Sequence, residues 1–303
     1  MIRFRIGTRG SALALVQARM VQAAIAAAQG WVREDIAIVT IRTTGDRVQD
    51  RALAEIGGKA LWTKELDRAL LDGEVDACVH SMKDVETIRP DAIRIAAMLP
   101  RADVRDRLIG AEGIAALRQG AVVGTSSPRR RAQLLRLRPD LEIVVFRGNV
   151  GTRLAKLGAG EVDATLLAAA GLDRLGQSGI GHAVATDAML PAPAQGAVGI
   201  EVRQDDASAT AIIGAIDHAE TSVCIHAERA FLAAIGADCH SPVAALASLA
   251  GETLSIRGEL IAVDGEVSVE GRVEGTPGED LGGALAADLL ARAPPALRAL
   301  FAG

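Results

Sequence analysis

The chain has 303 residues, half of them apolar, a net charge of −5, and only 2% aromatic residues with no tyrosine. That size suits a globular protein with two or three cores, while the negative balance and the lack of stacking aromatics exclude general nucleic-acid binding. No apolar run near the start is expected to cross a bilayer, no secretory core follows Met1, and three cysteines argue for reduced thiols in the cytoplasm.

Taken in chain order, the pattern predicts a strand over 3–7 and a helix over 11–29, with Ser11 as cap and Gly30 as stop. Gly57-Gly58-Lys59 lacks both the earlier glycine and the following Ser or Thr of a nucleotide-phosphate loop, which excludes that reading. Lys59 can still face an anion across its glycine turn. Val79-His80-Ser81-Met82-Lys83-Asp84-Val85 sets four polar side chains directly after an apolar strand, where α/β proteins hold ligands. The Lys83-Asp84 pair reads equally as a surface ion pair and as a site carboxylate beside a cation. Near residue 122 the opening grammar returns, with a strand over 121–124, then Thr125-Ser126-Ser127, then a helix bearing Arg129 and Arg130. Gly73-Glu74-Val75-Asp76-Ala77 also recurs, as Gly160-Glu161-Val162-Asp163-Ala164. Two echoes in the same order predict two lobes of similar build.

This alternation predicts an α/β fold with largely parallel sheets. After about residue 215 the pattern changes to a helix over 219–235, a strand over 243–249 and a hairpin, 253–263 with 266–274, turning at Asp264-Gly265. A last helix precedes Pro294-Pro295, so this part reads as a small α+β domain, an antiparallel sheet with helices on one side.

Charge is uneven along the chain. Residues 121–157 hold eight basic against two acidic side chains, and residues 216–303 hold five against thirteen. A compact arginine-rich zone in an acidic chain suits a small polyanion. Gly7-Thr8-Arg9-Gly10-Ser11 and Gly124-Thr125-Ser126-Ser127 set backbone N–H groups at helix starts, which favours anions, although such a run taken alone is more often ordinary capping. Arg129 and Arg130 strengthen the second case, because guanidinium forks pair bidentately with carboxylates. Arg147-Gly148-Asn149-Val150-Gly151-Thr152-Arg153 adds a turn with two further guanidinium groups. Cys224, His226, Cys239 and His240 are of metal-ligand type, but their spacing does not converge on one ion. Cys78 and Cys224 lie in apolar stretches and read as core. Cys239 follows Gly236-Ala237-Asp238 in a loop that exposes its sulfur to attachment or catalysis.

These runs together resemble one family, the hydroxymethylbilane synthases or porphobilinogen deaminases. The match, in family order, consists of Ile6-Gly7-Thr8-Arg9 with Ser11, Gly57-Gly58-Lys59, His80-Ser81-Met82-Lys83-Asp84-Val85, the Gly124 run with Arg129-Arg130, and the Arg147 to Arg153 turn. It continues through Ala169-Ala170-Gly171-Leu172 with Arg174-Leu175-Gly176 and through Gln195-Gly196-Ala197-Val198-Gly199-Ile200-Glu201. The last hundred residues match in pattern, through Glu228-Arg229-Ala230-Phe231-Leu232 and the cysteine loop. Departures are Glu55 where many members carry Lys, Glu86 in place of a common Pro, and Gly-Ala-Asp-Cys in place of Gly-Gly-Cys.

The resemblance implies three domains: an α/β lobe of 1–98 with about 196–215, an arginine-rich α/β lobe of 99–195, and an α+β domain of 216–303 carrying the cysteine. The two lobes would be built like those of a periplasmic-type binding protein, with the active cleft between them. The implied activity is that of a transferase in tetrapyrrole (porphyrin, haem) biosynthesis. It condenses four porphobilinogen molecules, with loss of ammonia, onto a dipyrromethane cofactor in thioether linkage to Cys239, then hydrolyses the link to release hydroxymethylbilane. Asp84 is the implied catalytic carboxylate. Lys83, Asp84, Ser127, Arg129, Arg130, Arg147 and Gly148 would hold the cofactor, and Arg9, Ser11, Lys59, Arg147, Arg153 and Arg174 the substrate, with no metal. Each pyrrole bears an acetate and a propionate, which explains the basic zone, since such charges are not desolvated without cationic partners. Porphobilinogen is the expected partner of a monomer that uses neither nucleic acid nor membrane. The competing reading is a non-catalytic two-lobed protein that binds a small anion, which shares the fold but has no need of a thiol-bearing third domain.

Overall fold

Two residues bracket the first helix: the Ser11 hydroxyl accepts from Ala14 N–H (3.2 Å), and Gly30, at φ 64°, closes the far end in the left-handed region. The computed structural model describes residues 1–42 and 63–301, so Glu55, Gly57, Gly58 and Lys59 lie outside the described residues. The chain divides into two compact units. Elements are numbered in chain order.

Unit 1 takes the described residues of Met1–Ala102 together with Gly196–Ser222. It holds β1 (Phe4–Arg9), α1 (Ala12–Gln29), β2 (Ile36–Ile41), α2 (Lys64–Leu71), β3 (Ala77–Ser81), β4 (Ile93–Met98), β10 (Val198–Arg203) and α6 (Ala207–Gly214). The sheet order is β2-β1-β3-β10-β4, parallel through β2, β1 and β3, with β10 antiparallel to both its neighbours. Ala18, Val21 and Ile25 of α1 pack on Ile6, Val79 and Ile200 of the sheet. By length and composition alone α1 is apolar enough to cross a membrane, which corrects the expectation that no such run lies near the start. Its apolar stripe is spent on the sheet, and Gln17 beside that stripe donates to the Ser81 hydroxyl (2.8 Å).

Unit 2 takes Asp103–Gln195 and Val223–Gly303. Its first sheet comes from β5 (Asp106–Ile109), β6 (Val122–Gly124), β7 (Glu142–Val144), β8 (Ala164–Ala168) and β9 (His182–Ala183), with α3 (Pro128–Leu137), α4 (Val150–Gly158) and α5 (Ala169–Arg174) between strands. The order β7-β6-β8-β5-β9 is parallel through β7, β6 and β8 and antiparallel at β5. This is the plan of the unit 1 sheet: the first parallel strand sits between its two parallel successors, and an antiparallel strand lies next to the third in the sheet. The repeated Gly-Glu-Val-Asp-Ala acquires a physical reason here. Asp76 accepts from the Arg5 backbone N–H of β1 (2.8 Å), and Asp163 accepts from the Val122 N–H of β6 (2.7 Å), so each echo ties the incoming third parallel strand to the first parallel strand.

The second sheet of unit 2 is the expected antiparallel meander, β11 (Val243–Ala250), β12 (Thr253–Ile261) and β13 (Ser268–Gly275), with Gly265 at φ 79° in the hairpin tip. Helices α7 (Ala219–Ala234), within which the unit boundary falls, α8 (Leu281–Arg292) and α9 (Pro295–Arg298) complete the chain. Phe231, Leu254, Ile256, Leu285 and Leu289 form the core of this part. The architecture is therefore mixed α/β, with a smaller α+β region at the C-terminal end.

One close approach fixes the strand that leads into α3. A Cβ added at Gly124 would lie 2.5 Å from Cγ and 2.8 Å from Cβ of the buried Phe146, positions the ring base cannot vacate by a simple rotation. Gly124→Ala is expected to cost about 1–3 kcal/mol through overpacking. Urea unfolding checks this: the midpoint should fall at unchanged slope.

Candidate active site

Parallel strands deliver their C-terminal ends to one edge of a sheet, and the sequence places polar residues at that edge in both units. In unit 1, β1 ends at Arg9 and leads to Ser11, and its parallel neighbour β3 leads into a 3-10 turn, Met82–Asp84, carrying Lys83 and Asp84. The turn is anchored from below. Met82 is 1% exposed, its N–H donates to Ala197 O (3.1 Å), and a Cβ at Gly199 would collide with its sulfur at 2.1 Å. Lys83 and Asp84 are left half-buried at the surface of the unit, as is Arg9.

Beneath that turn lies a buried charge cluster that sequence reasoning did not assign. Glu201, fully buried on β10, faces His80 of β3 (Nε2 to Oε2, 3.1 Å) and accepts twice from Arg89, at 2.7 Å and 2.9 Å. Burial works against the Glu201 charge, yet His80 and Arg89 hold its carboxyl down at about 2. Arg89 also pairs with Asp67 and with Glu86 (2.6 Å), and Glu86 in turn accepts from the Thr63 hydroxyl at 2.7 Å. The departure at Glu86 thus supplies an ion-pair partner where the family's common Pro has none.

In unit 2 three successive strand ends gather the other predicted residues. After β6, Ser127 caps α3 by accepting from Arg130 N–H (3.4 Å), and the Ser126 hydroxyl donates to Phe146 O (2.9 Å). After β7 come half-buried Arg147 and Gly148, whose carbonyl accepts from Arg153 Nε of α4 (2.9 Å). After β8, α5 ends at Arg174, whose guanidinium burial pulls down. Arg129 and Arg130 are placed differently from an open anion clamp. Both are buried, and each donates through Nη2 to Asp106, at 2.7 Å in both cases. Burial opposes the Asp106 charge, but the two guanidinium groups overcome it and hold the carboxyl far below the usual carboxylate range. Gln195 completes the set, donating to Asp106 (2.9 Å) and to Val104 O (2.8 Å).

Asp106 lies in the charged run Arg101-Ala102-Asp103-Val104-Arg105-Asp106-Arg107, to which the sequence motifs assign no role. The available signal was parity: Asp106 alternates with buried Leu108 along β5 and so shares its inward face.

Of the three thiols, Cys78 and Cys224 are buried and Cys239 is exposed, as expected. Burial pushes the Cys78 thiol well above its ordinary range. The Cys239 loop is shaped by Asp238, whose carboxylate accepts from His240 N–H (2.8 Å) and whose own N–H donates to the Ser241 hydroxyl (3.2 Å). The inserted Asp therefore builds the turn that presents the sulfur. A carboxylate-bearing pyrrole pair fits the unit 2 donor set: one acid shared by two guanidinium groups leaves a net positive charge. Arg129 Nε and Arg130 Nε are moreover buried donors with no acceptor among the described residues.

Comparisons with known proteins identify the family. The family described as "Porphobilinogen deaminase, dipyromethane cofactor binding domain" matches residues 4–211, and the porphobilinogen deaminase C-terminal domain matches residues 222–291. The chain belongs to the porphobilinogen deaminase family. It is similar to the porphobilinogen deaminase of Sphingopyxis alaskensis, at 56% identity over 98% of this chain and 96% of that one. The porphobilinogen deaminase of Paracoccus denitrificans is 51% identical over 96% and 94%. Among solved structures, a periplasmic substrate-binding protein of an ABC transporter from Coxiella burnetii aligns with 71% of this chain and 92% of that one, at 17% identity and a TM-score of 0.43, too low to carry an argument. Membership makes the chain a transferase that acts on porphobilinogen and uses a dipyrromethane cofactor to build hydroxymethylbilane.

The Glu201 cluster generates a pH test. A carboxyl held near 2 in the folded chain, against roughly 4.3 unfolded, contributes stability that is fully present above the unfolded value and is lost as pH falls through about 2. Glu201→Gln should therefore cost about 3–5 kcal/mol at neutral pH, the scale for breaking a buried pair. The gap to wild type should close as pH drops below about 4. Urea titrations at several pH values measure it, and a gap that stays constant would count against the assignment.

Proposed function

We propose that Cys239 is the attachment point of the dipyrromethane cofactor and that Asp84 is the carboxylate that stabilises positive charge during each condensation. The observation that carries the first assignment is the contrast among the thiols. Attachment through sulfur needs a thiolate that can be reached, and Cys239 is exposed while Cys78 is buried with its thiol pushed up. When bound, the dipyrromethane supplies the unsubstituted pyrrole carbon from which the chain is extended.

The residues of the chain supply charge and orientation. Asp84 ends a turn pinned by buried Met82, so its carboxylate has a fixed place at which to accept from a pyrrole N–H. As ammonia leaves the aminomethyl arm of porphobilinogen, positive charge spreads over that ring, and a preorganised carboxylate lowers the barrier by offsetting it. In unit 2, Ser127, Arg129, Arg130, Arg147 and Gly148 would hold cofactor acetates and propionates, with Arg153 and Arg174 on the substrate; in unit 1, Arg9 and Ser11 do the same. Lys59 belongs to this proposal by family pattern alone. Arg129 and Arg130 act through Nε and their net charge, since Asp106 takes Nη2 of each while Leu190 O and Leu166 O accept from Nη1 of Arg129 and Arg130.

The three sheets support a three-domain division, 1–98 with about 196–215, 99–195 and 216–303. We also assign the chain to the cytoplasm as a monomer working without nucleic acid or membrane, consistent with its negative charge and scarce aromatics.

Intact mass with peptide mapping tests the attachment. The adduct is expected on the Cys239 peptide, with Cys78 and Cys224 unmodified, and an active protein with a bare Cys239 would overturn it. For Asp84, single-turnover rates of Asp84→Asn and Asp84→Glu are compared after each variant is shown to carry the cofactor. Asn should slow the reaction by at least ~10²-fold, the scale for one preorganised electrostatic group, and Glu should retain more activity. Equal rates for Asn and Asp would return Lys83-Asp84 to a structural ion pair.

A further inference from the structure

Glu259 is an acid inside a sheet. It is 1% exposed on β12, in register with Ala244 of β11 and Glu270 of β13. Its carboxylate leaves the sheet for α3: Oε2 accepts from Gln133 Nε2 (2.9 Å), and Oε1 lies 2.8 Å from Arg136 Nη1. Burial pushes this carboxyl up, and Gln133 and Arg136 pull it back only in part. From Gln133 the chain of contacts runs on. Gln133 also donates to Leu190 O (3.1 Å) and accepts from Arg129 Nη1 (2.8 Å), and Arg129 meets Asp106. In the other direction, Ile261 N–H donates to Pro242 O (3.1 Å), and Val243 pairs with Leu260. The exit of the Cys239 loop is therefore fixed against the strand that carries Glu259. The hairpin beyond it rests on the same helix, since a Cβ at Gly265 would meet Ala132 O and Arg136 N at 2.5 Å.

We infer that Glu259 is a positioning residue for the condensation. It locks the strand that anchors the Cys239 loop to the helix that Ser127 caps and whose first turn carries Arg129 and Arg130, so that the attachment point and the carboxylate-binding groups keep a fixed spacing. This rests on the attachment proposed at Cys239. A purely stabilising role fits the energetics less well. Removing one partner of an ion pair is costly chiefly where the other charge is left buried and uncompensated. Here Arg136 is 28% exposed and can turn to water, and Gln133 keeps its bond to Leu190. Removing Glu259 therefore orphans little.

The test uses the full-length protein and compares Glu259→Leu, Glu259→Gln and Arg136→Leu with wild type. The readouts are thermal midpoint, KM and kcat for porphobilinogen, and the fraction of chains bearing the adduct on Cys239 by intact mass. A positioning role predicts a Glu259→Leu midpoint equal to or above that of wild type. It also predicts a KM raised about tenfold, the lower range for one charge-assisted hydrogen bond, with kcat changed less and loading on Cys239 reduced. Glu259→Gln, which can keep the Gln133 contact, should fall between, and Arg136→Leu should move KM the same way. If Glu259→Leu fails to fold, the other two variants carry the same comparison. Lowered midpoints with wild-type KM and loading in all folded variants would make Glu259 structural only and overturn the inference. A wild-type protein without an adduct on Cys239 would instead remove the attachment reading, with the KM comparison still deciding whether Glu259 positions the helix.

Discussion

Asp106 sits away from water between two guanidinium groups, 2.7 Å from each, and the arginine-rich part of the chain depends on that placement. Adjacent arginines at the start of one helix repel each other and are costly to desolvate together. A single carboxylate shared by both removes most of that cost without neutralising the pair. The remaining +1 is held rigidly, with Arg129 also tied to Leu190 O and Arg130 to Leu166 O, both at 2.8 Å. A rigid charge is worth more to an anionic ligand than a mobile one, because less side-chain entropy is lost when it binds. The structure adds to the sequence pattern that both guanidinium groups are held by fixed neighbouring acceptors.

The same logic recurs in unit 1 with the signs arranged differently. There the half-buried Lys83-Asp84 turn stands on a buried acid-base cluster of Glu201, His80 and Arg89, and Met82 wedges the turn into the core. Each unit thus combines a parallel sheet, whose strand ends carry polar residues, with a buried ionic cluster one layer below. The repeated Gly-Glu-Val-Asp-Ala belongs to this common plan, since Asp76 and Asp163 bind the amide of the equivalent neighbouring strand in each sheet.

Much of this was legible in the residues. The Ser11 cap and Gly30 stop of α1, the turn at Asp264-Gly265, the buried Cys78 and Cys224 and the exposed Cys239 all follow from local rules, because cap, turn and thiol environment are decided within a few residues. The ionic clusters were not legible, and the reason is distance along the chain. Arg89 and Glu201 are 112 positions apart, Gln133 and Glu259 are 126, and even Arg129 and Asp106 are 23. Periodicity can show that Asp106 shares a face with Leu108, but it cannot name the guanidinium opposite. A charged residue in a strand therefore reads as solvated until the neighbouring element is known.

Glu86 shows how such a cluster absorbs a change. With an acid at this position, Arg89 faces three carboxylates, Asp67, Glu86 and Glu201, and one guanidinium cannot offset three charges. The excess is divided unequally. Glu201 keeps its charge, held at about 2 by His80 and by two bonds from Arg89. Glu86 lies nearer the surface and takes a further bond from the Thr63 hydroxyl. The strain falls on Asp67, whose carboxyl is pushed up by burial and by the neighbouring Glu201 in spite of its bond to Arg89. Burial and Glu201 thus work against the Asp67 charge, while His80 and Arg89 together favour the charge of Glu201, whose contact with His80 lies on the strand that leads into the Asp84 turn.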